Sequence, residues 1–181
     1  MSGAPEFSRP RRLDTIGQGE AATRIEADDA ERAALARRFD LLGVERLAAE
    51  YALRRDAAGI VATGHLLAAV TQRCIGTGDP VPAIIEEDFA LRFVPEGVAV
   101  SGDEEVELDA GDLDVVFFAG GAIDLGEAAA ETLALALDPY PRSPAAAAAL
   151  RDAGVLSEEE AKPAGALAGL KDLLQGGATR D

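Results

Sequence analysis

The chain carries one cysteine, Cys74, and one histidine, His65. A structural zinc site needs about four Cys, His or carboxylate ligands in a tetrahedron. A thiol nucleophile needs a base within hydrogen-bond reach. The two residues lie nine positions apart, so on one regular strand they face opposite sides. Cys74 therefore reads as a small buried thiol at a strand end, and His65 as a solvated side chain on the strand's more polar face.

The other stretch with chemical potential is SGDEEVELDAGDLD, residues 101–114. Asp103, Glu105 and Glu107 alternate as calcium ligands do, but no glycine stands at the centre as an EF-hand loop requires. Asp112 and Asp114 would join a magnesium site only if other elements brought oxygen ligands to them. A solvated charge run is the plainer reading. As a functional surface, Asp103, Glu104, Glu105, Glu107, Asp109, Asp112 and Asp114 would attract a basic protein. No glycine cluster has the dinucleotide-binding pattern, and neither a Walker sequence nor a serine nucleophile elbow is present. No catalytic residue, metal ligand or cofactor is assigned. Arg9, Arg11 and Arg12 form a small basic strip, but Glu6 and Asp14 beside them favour a solvated edge.

Charge supports the same partner class. The net charge is −16, and residues 86–131 hold fourteen acids against one arginine, a net of −13. Residues 1–56 nearly cancel, with ten arginines and eleven acids. Such a field repels nucleic acid and attracts cations and basic proteins. Hydrophobic residues make up 48% of the chain but aromatics only 4%, so the core must be built from Ala, Leu, Val and Ile. One cysteine excludes an intrachain disulfide framework. No apolar run approaches the roughly 18 residues of a membrane span, and the first residues lack a secretory pattern. A soluble cytoplasmic protein is expected.

Periodicity supplies the elements. Residues 27–42 read as a helix, with Asp28 and Glu31 as a capping box, Leu35, Phe39 and Leu42 on one face, and Gly43 ending it. Residues 45–55 alternate, with Leu47, Ala49, Tyr51 and Leu53 on one side. Residues 56–59 make a hairpin turn, and a second strand over 60–74 buries its even positions. After a turn at 75–80, a third strand over 81–94 carries Val81, Ile85, Phe89, Leu91 and Phe93 in phase. Residues 115–118 suit a short strand. Asp124 then caps a helix with Glu127 three residues on, Leu125, Ala129, Leu133, Ala136 and Leu137 as its buried stripe, and Pro139 as its stop. Five alanines and a leucine-rich run follow, as short helices. The expected fold is α+β, an antiparallel β-meander packed against two or more helices. Its domain spans residues 1–142, with a helical tail at 143–181.

Three segments in order carry a resemblance. Cys74, Thr77, Pro80 and Val81 fit a C-x-x-T-x-x-P-V pattern. Ile123, Asp124, Leu125 and Gly126 follow, then LALALDPYPR at residues 133–142 with Pro139 and Pro141. Residues 163–174 form a proline-led, leucine-rich closing segment. In this order the chain resembles the bacterial YceD family, the large ribosomal RNA subunit accumulation proteins. The resemblance implies a role in ribosome assembly and no established enzymatic activity. Many members have a second cysteine where Thr71 stands here, so no metal function carries over. Gly165 and Ala166 lie where an aromatic is common. Joined with the charge, the resemblance implies a non-enzymatic factor that binds a basic ribosomal protein or a large-subunit assembly intermediate. The rivals are a metal-dependent nuclease or phosphatase acting on ribosomal RNA precursor, and a direct RNA-binding module using Arg9, Arg11 and Arg12.

Overall fold

A computed structural model describes residues 5–97 and 113–155. Among these residues, seven strands and three α-helices follow one another as β1 (Pro10–Arg12), β2 (Ala21–Glu26), α1 (Asp29–Arg38), β3 (Gly43–Asp56), β4 (Gly59–Arg73), β5 (Pro80–Pro95), β6 (Asp114–Phe118), β7 (Ala122–Asp124), α2 (Leu125–Ala136) and α3 (Pro144–Asp152). Five strands form one sheet in the order β2-β3-β4-β5-β6, and β1 pairs with β7 in a second, two-stranded sheet. The α+β meander expected from alternation is present, with β3, β4 and β5 as its centre. β2 extends it antiparallel on one edge, while β6 joins the other edge parallel to β5.

Alternation fixes the two faces. Leu47, Ala49, Tyr51 and Leu53 of β3 lie inward with Ile60, Ala62, Leu66, Ala68 and Val70 of β4, all 2% exposed or less. Arg24, Glu50, His65 and Asp88 form a row across the outward face, each directly opposite the next. A bulge at Glu45 shifts the β3–β4 register between Val44 and Arg46. At Gly64 the aromatic-poor core makes room for a pair of rings. A Cβ there would meet the Glu50 carbonyl and lie 2.5 Å from Phe89 Cζ. Without it, Tyr51 and Phe89 come to 4.9 Å between ring centroids.

The helices α1 and α2 lie on the inward face, tied to each other by Arg38 and Glu127. Helix α2 brings Leu125, Ala128, Ala129, Ala130 and Leu133 onto the sheet. Its small residues allow close approach, and the buried Tyr51 hydroxyl donates to Leu125 O at 2.7 Å. The first helix is shorter than its periodicity suggested. Its capping box at Asp28 and Glu31 is present, but the chain leaves the helix at Asp40, whose φ of 53° is left-handed. Leu42 N then donates to Thr71 O, so Leu42 already belongs to the sheet edge and is 43% exposed. Gly43 opens β3 rather than ending α1.

Candidate functional site

The turn after β4 closes on itself. Cys74 N donates to Asp79 O at 2.8 Å, Gly78 N to Cys74 O at 2.9 Å, and Thr77 Oγ1 to Asp79 Oδ2 at 2.6 Å. Gly78, with φ of 78°, supplies the left-handed step. Pro80 then opens β5, where a first strand residue needs no N–H.

The segment leaving α2 docks on this turn. Leu137 ends the helix in extended backbone, and the two prolines beyond it keep the chain extended. Gln72 Nε2 donates to Asp138 O at 2.9 Å, and Ile75 N to Pro141 O at 3.0 Å. Ser143 N donates to Cys74 Sγ at 3.3 Å just before α3 begins. The structure thus brings together Cys74, Thr77, Pro80, Pro139 and Pro141, which lie in two distant parts of the sequence.

Cys74 is 2% exposed. The Ser143 N–H, helped by the Thr77 hydroxyl, stabilises its thiolate against the cost of burial and draws the thiol down to about 6. His65 is on the opposite face, its Nδ1 2.7 Å from Asp88 Oδ1. The two groups are therefore not a nucleophile and its base. Cys74 acts in this geometry as an acceptor that holds the start of α3.

Asp124 stands at the other end of α2, about 18 Å away along a helix of 12 residues. Its carboxylate accepts Gly126 N at 2.9 Å and Glu127 N at 3.2 Å, capping the helix. It also accepts Arg9 N at 2.8 Å and Ser8 Oγ at 2.5 Å. The neighbouring Gly126 is required because a Cβ would lie 2.5 Å from Phe7 O. Arg9 forks onto Glu31 with two N–H bonds, 2.6 and 2.8 Å, and Arg12 pairs with Asp14. Two arginines of the basic strip are thus committed to carboxylates within the fold.

Of the acidic residues singled out in sequence, Asp103, Glu104, Glu105, Glu107, Asp109 and Asp112 lie outside the described residues. Asp114 is exposed at the start of β6. There it lines a cleft of 520 Å³ with Glu87 and Asp88 of β5 and Glu131 of α2, over Phe89, Leu91, Val116, Leu135 and Ala136. Burial and the nearby Glu127 carboxylate raise the Glu131 carboxyl above the usual range. Composition alone does not disclose Glu87 and Glu131 as neighbours of Asp114. One signal was available: Glu87 occupies an inward position of β5, opposite the fully buried Leu66. Among the described residues, no group of three or more His, Cys, Asp or Glu is placed to hold a metal ion. Among them, too, no helix is long and apolar enough to cross a membrane.

Residues 62–174, more than half of the chain, match the family model described as large ribosomal RNA subunit accumulation protein YceD. The match takes in the β4 turn, α2 and the segment that docks between them. No curated protein and no solved structure matches the chain.

Proposed function

This chain belongs to the YceD family of large ribosomal RNA subunit accumulation proteins, and from that membership we propose that it supports accumulation of this RNA by binding a basic ribosomal protein, without catalysis. The family name carries the link to large-subunit ribosomal RNA. The observation that carries the choice of partner is the charge, fourteen acids and one arginine over residues 86–131. An RNA phosphate backbone is repelled by that field, whereas a lysine- and arginine-rich client gains from it. Shielding such a client until it meets the RNA is a task for a cytoplasmic assembly factor.

The test is purification of the tagged protein from cells, with and without ribonuclease. A basic large-subunit protein that stays bound after ribonuclease is the expected result. Loss of the whole set on ribonuclease treatment would overturn direct protein binding in favour of an RNA-mediated link. Neutral replacements at Asp103, Glu104, Glu105 and Glu107 are expected to lower large-subunit levels. Normal levels would reduce that stretch to solvation. Titration calorimetry with magnesium, paired with an RNA cleavage assay, addresses the nuclease or phosphatase alternative. A saturable binding heat together with cleavage would replace the binding role by metal-dependent hydrolysis.

A further inference from the structure

Several carboxylates elsewhere on the described surface are met by arginines. Glu31 faces Arg9, Asp14 faces Arg12, Asp56 faces Arg92, and Glu127 faces Arg38. The cleft between α2 and the β5–β6 corner breaks this pattern. Glu87, Asp88, Asp114 and Glu131 line it, and no lysine or arginine does so among the described residues. Asp88 turns to the outward face, where it pairs with His65, and Arg38, the cation that acts on Glu131, is already engaged by Glu127 and Glu6. Three carboxylates from three elements, Glu87, Asp114 and Glu131, therefore face one cleft with no lysine or arginine among the described residues between them.

The same cleft is apolar underneath. Phe89 and Leu91 form part of its lining, and Leu135 of α2 stands 86% exposed on the helical face that also carries Glu131 and Thr132. Its volume of 520 Å³ falls within the usual range for binding clefts, roughly 300–1,000 Å³. A soluble metal ion or polyamine would answer the charge but leave the apolar surface wet. A phosphate-bearing partner would meet only repulsion. A segment with an apolar side chain flanked by cations answers both properties at once.

We propose that this cleft is the docking site for a basic amphipathic segment of a partner protein. One apolar side chain of that segment packs against Phe89 and Leu135. Its lysines or arginines lie on Glu87, Asp114 and Glu131, as in helix-in-groove recognition. The assignment rests on the reading of the chain as a binder of basic proteins, and it names where and how the client is held.

The test measures fluorescence anisotropy of two labelled synthetic peptides on the full chain. One is a lysine–leucine peptide with leucines at helical spacing, and the other replaces every leucine by serine at equal charge. The leucine peptide is expected to bind about tenfold more tightly. Leu135→Ser should erase that difference while leaving the serine peptide's affinity nearly unchanged. Leu135 is largely exposed, so the variant is expected to fold, and circular dichroism checks this. Glu131→Lys is the second variant and should weaken both peptides. If both variants bind the two peptides as the original chain does, the cleft is not the site, although the wider acidic-surface reading survives. If neither peptide binds the original chain at low salt, that wider reading fails as well.

Discussion

Asp124 Oδ1 accepts the backbone N–H of Arg9 at 2.8 Å across 115 positions of sequence. The same carboxylate caps α2, so a single side chain both starts the helix and holds the strap at residues 7–12 over it. Leu125 N returns a bond to Arg9 O at 3.2 Å, and Phe7 beneath is fully buried. Asp124→Ala should cost about 2–3 kcal/mol, more than the roughly 1 kcal/mol of a cap alone. Urea denaturation measures it, and Asp124→Asn should regain part of the loss. A cost no larger than an ordinary cap would mean that the strap is not held through this residue.

Gly64 lies between Tyr51 and Phe89 in the ladder. Gly64→Ala should destabilise the protein by about 1–3 kcal/mol, because a Cβ meets both a ring and a backbone carbonyl that cannot move freely. The near-ultraviolet circular dichroism signal of Tyr51 should change with it. An unchanged denaturation midpoint would show that the sheet opens at this point at no cost.

Cys74 gives a pH signature whose sign follows from its direction. Its folded value of about 6 lies below the ordinary thiol value of 9.0. The stabilisation is therefore fully present above about pH 9 and is lost as the pH falls through about 6. Thiolate absorbance near 240 nm should rise with a midpoint close to 6 and be absent in Cys74→Ser. A midpoint above 8 would mean that burial outweighs the Ser143 and Thr77 donors.

Asp56 accepts Ala58 N and Gly59 N at the β3–β4 turn, and Arg92 Nη1 reaches both its oxygens at 2.9 and 3.0 Å. The two side chains are 26% and 25% exposed, so solvent screening is partial. A double-mutant cycle should give a coupling of about 1 kcal/mol. Arg92 holds the Asp56 carboxyl below its usual value of 3.8. The coupling should thus be present at neutral pH and fade as the pH falls below that value. A coupling indistinguishable from zero would make the turn's own backbone bonds the sole reason for Asp56.

The centre of the fold was legible because its signals are local. The meander from β3 to β5 follows from period-two alternation and short turns, and Asp124 announces its helix by its place before an apolar stripe. The strands β1, β2 and β7 were not legible. β1 and β7 are three residues long, too short to show a period. β2, AATRIE, buries only Ile25, so its identity comes from backbone pairing with β3 rather than from its side chains. Nor did composition disclose the cleft carboxylates. Glu87, Asp114 and Glu131 converge only after β6 is laid parallel to β5, and no spacing rule reports such a convergence.

That parallel pairing also has a consequence for how the chain is routed. Asp114 lies opposite Leu91, and Glu96 N still bonds Phe118 O at the far end of β6. The anchored ends of the acidic stretch are therefore only about 20 Å apart, whereas the intervening residues have a contour length of about 55 Å. Spanning about 20 Å takes only about six residues, so the parallel edge sets a minimum length for the connection. Above that minimum, the pairing of β6 with β5 by itself puts no condition on how many carboxylates the connection carries.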